Sequence, residues 1–365
     1  MLRGEGSDTR RSPQPQDAPG STTCGLGRAP PHTNGAREYQ RQERAGEVIA
    51  ARPVYPLVEG RERMTRSARR EVSVTFDDLP MQPPLCDGPA LAEVTGKLLA
   101  ALVAEGVSAV GFVNESALYA GGELDAARVN LLRAWLDAGM ELGNHTFSHL
   151  DLHRTPGDEF EADIARGEIV TRELLEARGA ALEYFRHPYL HTGLSREAKE
   201  GVERFLRGRG MAVAPVTVQS EEWMFAQAYD KAKMNCDGAA MREVAAAFLP
   251  YMEESFDYFE KLSARLLGRE IRQVLLLHAS ALHADHFPAL AALMRGRGYA
   301  FVTLGRALDD PAYAHADDCI TPDGLSWLRR WAATDGVATG PQPAVAPRVN
   351  SLWEDLMGCA AVVAE

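Results

Sequence analysis

The chain has 365 residues, 45% of them hydrophobic and 25% charged, a balance typical of a soluble globular protein with enough length to bury a sizeable core. No run approaches 18 uninterrupted apolar residues, so no transmembrane helix is expected. A net charge of -12 argues against a phosphate-tracking, nucleic-acid-binding surface. The charge is uneven, however: residues 1–70 carry 13 Arg against 8 Asp and Glu, a local +5, which leaves about -17 on the remainder.

Residues 1–70, with seven Pro, eight Gly and no sustained apolar period, read as a disordered basic tail. No apolar stretch follows the early arginines as in a secretory leader. The literal sequence therefore leans to a cytoplasmic place, or to an extracytoplasmic one if the start is misassigned. Met64 is an alternative start. The five cysteines, Cys24, Cys86, Cys236, Cys319 and Cys359, are far apart and read as reduced thiols.

From Glu71 the pattern turns to short apolar runs alternating with helical periodicity. Strands are expected near Val72–Phe76, Ala109–Val113, Met140–His145, Leu182–Phe185, Met211–Val216, Gln273–His278 and Tyr299–Thr303. Amphipathic helices are expected over Ala90–Glu105, Asp125–Ala138, Asp158–Arg178, Ser195–Arg209 and His286–Arg297, with two or three more in 220–270. Seven strands alternating with helices imply parallel crossovers, hence an α/β fold. No glycine fingerprint follows the first strand, so a closed or nearly closed barrel fits better than a dinucleotide-binding sheet. The barrel is expected over 71–330, with 331–365 as a C-terminal appendage.

The polar residues fall at strand ends. The first strand runs into Asp77-Asp78, the third into Asn144-His145 with His149 four residues on, the fourth into Arg186-His187-Pro188-Tyr189, and the sixth ends in His278. Carboxyl ends of strands form the rim where barrels assemble active sites. Two histidines plus one carboxylate make a three-ligand site with open positions, as in catalytic metal centres. Of the two adjacent carboxylates, one can bind the metal while the other faces water.

Four ordered segments, Thr75-Phe76-Asp77-Asp78, His145-Thr146-Phe147-Ser148-His149, Arg186-His187-Pro188-Tyr189 and Leu275-Leu276-Leu277-His278, resemble the successive motifs of the NodB-homology polysaccharide deacetylases, carbohydrate esterase family 4. The resemblance spans roughly 71–305. It implies a distorted (β/α)7 barrel and a divalent metal, most often Zn2+, on Asp78, His145 and His149. It further implies Asp77 as general base, His278 as general acid, Arg186 pairing with Asp77 to keep it ionised, and an oxyanion donor at the backbone N–H near Tyr189. The substrate would be an N-acetylated amino-sugar polymer or oligomer, such as chitooligosaccharide or peptidoglycan glycan. Alternatives are hydrolysis of another amide or an O-acetyl ester, or a metal-retaining carbohydrate-binding protein without turnover; retention of both Asp77 and His278 speaks against the binder.

Two departures stand out. Leu79 occupies the place of the family's glycine after the Asp pair, and Gln219-Ser220-Glu221-Glu222-Trp223 matches the family's acidic fourth motif only loosely, which leaves the tether on Arg186 open. Trp223, Tyr229 and Trp327 are candidate sugar-stacking platforms or core aromatics. His283 and His286, three apart at a helix start, fit a cap or rim role better than a metal site.

Overall fold

The computed structural model of the protein describes residues 70–85 and 88–357. The tail assigned to residues 1–70 lies outside the described residues except for Arg70, as do Met64, Cys24, Cys86 and Cys359.

All seven expected strands are present and form one parallel sheet. They are β1 (Arg70–Leu79), β2 (Ala109–Val113), β5 (Glu141–Asn144), β6 (Tyr184–Phe185), β7 (Ala212–Val213), β8 (Gln273–His278) and β9 (Tyr299–Phe301). A small antiparallel pair, β3 (Tyr119–Ala120) and β4 (Glu123–Leu124), stands apart. The order across the sheet is β7-β6-β5-β2-β1-β8, and β9 pairs with the first residues of β1. The sheet curls. Four to five residues after β7, the amides of Thr217 and Val218 donate to the Val274 carbonyl, and Leu276 N–H donates to the Val218 carbonyl. The chain following one edge strand thus covers the opposite edge, β8, giving the distorted (β/α)7 barrel that the resemblance implies and with which the seven strands agree.

Strand β1 shows why the site forms where it does. Val72, Val74 and Phe76 alternate with Ser73, Thr75 and Asp77, and all six are buried. A period of two sends the apolar set to one face and the polar set to the other. Phe76 meets Trp135 and Phe287 in the helical layer. Thr75 Oγ1 donates to the Leu275 carbonyl and accepts from Arg186, so the polar face carries Asp77 toward the carboxyl end.

The helices are α1 (Gly88–Ala104), α2 (Ala126–Asp137), α3 (Gly157–Arg166), α4 (Ile169–Glu176), α5 (Arg196–Gly208), α6 (Glu222–Met234), α7 (Gly238–Leu267), α8 (Ala281–Gly296), α9 (Leu304–Leu308), α10 (Trp327–Thr334) and α11 (Pro347–Met357). In α1 the buried Leu91, Val94, Thr95, Leu98, Leu99 and Leu102 follow helical spacing and form a single face. The 220–270 interval is two helices, with α7 capped by the Asp237 side chain on the Ala239 and Ala240 amides.

Two helices depart from expectation. The single helix expected over Asp158–Arg178 is broken into α3 and α4 at Gly167. There, any Cβ would collide with the Thr146–Phe147 backbone. Helix α8 begins at Ala281 rather than His286, because Ser280 caps it through the His283 amide. The boundary placed at residue 330 falls inside α10. Beyond it, α11 buries Val349 and Leu352 in the same core as α6 and α7. No helix among the described residues is long and apolar enough to cross a membrane.

Candidate active site

Five of the six non-glycine residues with positive φ among the described residues are Asp78, Thr146, His149, Tyr189 and Leu190. Such backbone is sterically costly for a side-chain-bearing residue and persists only when its surroundings hold it there. All five sit at the carboxyl ends of β1, β5 and β6 or in the segments that follow.

The loop after β5 is held from several sides. Phe147 N–H donates to the Asp163 carbonyl, while Asp163 accepts from Ser148 N–H at 2.9 Å and from Ser148 Oγ at 2.8 Å. Asn144 donates to the Ile164 carbonyl and accepts from Thr146 N–H, and Asn114 donates to the His145 carbonyl. Gly167 lets this loop lie directly on the α3–α4 junction. Gly167→Ala is therefore expected to destabilise the fold by about 1–3 kcal/mol, the usual cost of forced overpacking, and to weaken metal retention. Urea denaturation and elemental analysis of the same sample check both effects.

Asp78, His145 and His149 offer one donor atom each, all within 4.8 Å of one another. Asp78 Oδ1 lies 3.5 Å from His149 Nε2 and 3.7 Å from His145 Nε2. His145 Nδ1 lies 2.8 Å from the Arg186 carbonyl. A carbonyl only accepts, so Nδ1 carries the hydrogen and Nε2 presents its lone pair to the cluster. Burial, reinforced by the charge of His149, pushes His145 down to about 3, which keeps it a neutral ligand. For Asp78 burial acts upward, but His149, His278 and His145 outweigh it and hold the carboxyl below its ordinary range. Two imidazole nitrogens and a carboxylate are a donor set that fits a divalent transition metal.

Asp77 stands beside this group, its Oδ2 3.9 Å from His145 Nε2. The fully buried Arg186 donates to both Asp77 oxygens at 3.1 and 3.3 Å. Arg186 is itself fixed by the Ala214 carbonyl at 2.8 Å, by Thr75 Oγ1, and by the Phe112 ring beneath it. The tether left open at 219–222 is absent from this guanidinium: Gln219 donates to the Gly324 carbonyl, and Glu222 goes to His278. Nor does the guanidinium alone keep Asp77 low. Among the protein's own groups, burial raises its carboxyl more than Arg186 and His278 lower it.

His278 pairs with Asp77 in the β1–β8 register. Its Nδ1 lies 2.6 Å from Oε1 of Glu222, which is fully buried in the first turn of α6. Burial would lower this imidazole, but the charge and hydrogen bond of Glu222, with Asp78 and Asp77 behind it, push it up to about 9. Glu222, in the segment that only loosely matches the family's acidic motif, has His278 and not Arg186 as its partner.

Tyr189 is half exposed, its ring 4.5 Å edge-on from His149. Its loop is backed by Gly324, where a Cβ would strike the Tyr189 carbonyl, and by His191, whose Nδ1 lies 2.8 Å from Asp151 and whose ring stacks on His153. The candidate platforms lie outside this cluster. Trp223 donates to Glu221 and packs edge-on against Trp353; Tyr229 is buried on Asp285; Trp327 joins Leu190, Val216 and Leu276 in a small core. Leu79 is buried, and its side chain fills the space a Cβ on Gly111 would need, so a glycine on β2 accommodates the larger residue on β1. His286 faces the Tyr229 ring.

Comparison with known proteins bears on this geometry. Residues 65–202 match the polysaccharide deacetylase family model. The matched segment holds Asp77, Asp78, His145, His149, Arg186 and Tyr189; Glu222 and His278 lie beyond it and join through the fold. No curated protein matches the sequence. Among solved structures, a chitin deacetylase from the fungus Colletotrichum lindemuthianum is similar at 22% identity, covering 66% of this chain and 88% of its own, with a TM-score of 0.44. A family 4 carbohydrate esterase from Streptomyces lividans, in complex with acetate, shares 21% identity over 65% of this chain and 95% of its own, with a TM-score of 0.41. A family 4 pseudoenzyme from Bacillus anthracis shares 15% over 67% of each chain, with a TM-score of 0.42.

Proposed function

We propose that the protein is a metal-dependent deacetylase that hydrolyses N-acetyl groups of amino-sugar polymers or oligomers. The observation that carries this reading is the flanking of one three-donor cluster by two differently supported proton-transfer groups, Asp77 held by Arg186 and His278 held by Glu222.

Asp78, His145 and His149 would hold the metal, which when bound supplies Lewis acidity toward the acetamide carbonyl and toward water. Zinc suits two imidazoles and one carboxylate. Asp77 accepts the proton of the attacking water at a carboxylate oxygen that Arg186 leaves in hydrogen-bonding orientation. His278 keeps Nδ1 on Glu222 and presents Nε2–H, which protonates the departing amine nitrogen. Without that proton the amine is a poor leaving group. The Tyr189 N–H donates to the oxyanion of the tetrahedral intermediate, at a position where positive φ turns the backbone.

Acetate release from N-acetylglucosamine oligomers, with and without a chelator, tests the reading. Release that is abolished by chelation and restored by zinc is expected. A zinc-loaded protein that binds the oligomer and releases no acetate would establish the binder instead. The ligand set has its own check. His145→Ala and His149→Ala are expected to lose metal through purification, whereas His283→Ala and His286→Ala keep it. Equal loss in all four would overturn the assignment.

A further inference from the structure

His283 is fully enclosed in the first turn of α8, and neither neutral form satisfies every polar group around it. Its Nδ1 lies 2.8 Å from the His278 carbonyl and 2.9 Å from Ser280 Oγ. Its Nε2 lies 3.4 Å from Glu222 Oε2, and neither of those two buried atoms has a hydrogen-bond partner. With the hydrogen on Nδ1, the His278 carbonyl is satisfied, but the Nε2 lone pair faces a carboxylate oxygen. With the hydrogen on Nε2, Glu222 is satisfied and Ser280 Oγ–H can donate to Nδ1, but the His278 carbonyl is left facing a lone pair. Only a ring carrying both hydrogens satisfies the two sides at once.

The surroundings decide how such a proton is held. From β1 and α7 the neighbours are the rings of Phe76 and Phe248, at 5.9 and 5.5 Å, which offer no charge. From its own helix, His286 opposes a second positive charge. From α6 comes Glu222, the one anion facing the ring among the described residues, and from β8 comes His278, which occupies the other oxygen of that carboxylate. Burial pulls His283 down, and Glu222 works against burial. An unpaired buried carboxylate oxygen is costly, so the same proton relieves both groups.

We propose that Glu222 is shared between two imidazoles, His278 on Oε1 and His283 on Oε2, and that His283 is a positioning residue that draws on the same carboxylate charge and so limits how tightly His278 holds its proton. The proposal rests on the reading of His278 as the general acid. Groups coupled in this way titrate as a unit rather than singly.

Histidine 15N spectra of the full-length, zinc-loaded chain test the sharing without any turnover. The Nε2 of His283 is expected to resonate between the bare lone-pair and N–H positions, and to move to the lone-pair position in Glu222→Gln. A pure lone-pair nitrogen that ignores Glu222→Gln overturns the proposal. His283→Gln, assayed on N-acetylglucosamine oligomers, is expected to move the alkaline limb of kcat/KM upward by about one pH unit with KM unchanged. The shift should vanish in the Glu222→Gln background. A folded His283→Gln protein with an unmoved limb also overturns it. If no acetate is released by any form, the assignment of His278 fails, and the spectra still decide whether the carboxylate is shared.

Discussion

Asp77→Asn is expected to lower kcat for acetate release by about 10²–10⁴-fold, the range for removing a positioned general base, with metal content unchanged. The amide keeps the shape of the carboxylate and can still accept from Arg186, but it cannot take a proton from water. Metal is retained because the three-donor cluster is complete without Asp77. A stability cost accompanies the change, since Arg186 is wholly enclosed and loses the one carboxylate it pairs with among the described residues. Removing one member of a buried ion pair costs about 3–5 kcal/mol, and here the loss is moderated by the Ala214 carbonyl and Thr75, which remain as acceptors. Turnover must therefore be normalised to folded, metal-loaded protein, measured by thermal denaturation and elemental analysis on the assayed sample. Near-normal kcat would remove Asp77 from the base role while leaving the metal cluster untouched.

Much of this arrangement is legible in the sequence because it depends on strand ends. A short apolar run followed by Asp-Asp, Asn-His or a terminal His marks the rim of a parallel barrel, and β2 and β8 fall on their expected bounds. What was not legible depends on contacts distant along the chain. The break at Gly167 is invisible in a periodicity that runs smoothly from Asp158 to Arg178, because its cause is the Thr146–Phe147 backbone lying across the helix junction. The loosely matched acidic motif leaves the tether on Arg186 open, and besides Asp77 the groups that fix it are a threonine on β1 and a carbonyl after β7, neither of which carries charge. Glu222 and His278 stand 56 positions apart, and only the packing of α6 beside β8 joins them. The sequence could have supplied one hint. Glu222 opens an amphipathic helix with its neighbours Phe225 and Ala226 in the core, so a carboxylate on that buried face needs a cationic partner.

His278→Ala is expected to lower kcat/KM by about 10²–10⁴-fold and to remove the alkaline limb of its pH profile. The window itself differs from the one that reference values give. An ordinary Asp near 3.9 and an ordinary His near 6.5 would confine activity to about pH 4–6.5. The base must be ionised, so activity falls as pH drops through the Asp77 pKa, which burial moves upward and which a bound metal would draw back down. The acid must be protonated, so activity falls as pH rises through the His278 pKa, which Glu222 and the neighbouring carboxylates push to about 9 against the opposing effect of burial. The alkaline limb therefore moves toward higher pH, and the bell should persist above neutrality. The same shift is a stability statement. A folded-state pKa above the unfolded value of about 6.5 means the His278–Glu222 pair stabilises the fold fully below that pH and ceases to do so as pH rises through about 9. Glu222→Gln separates the two contributions: with the carboxylate charge gone, burial dominates and the alkaline limb should fall well below 9, while the nucleophilic half of the site is untouched. An aryl acetate, whose leaving group departs without protonation, should lose far less than the amide in His278→Ala. An alkaline limb that survives in His278→Ala, or equal losses on amide and aryl ester, would mean that the leaving amine takes its proton from another group.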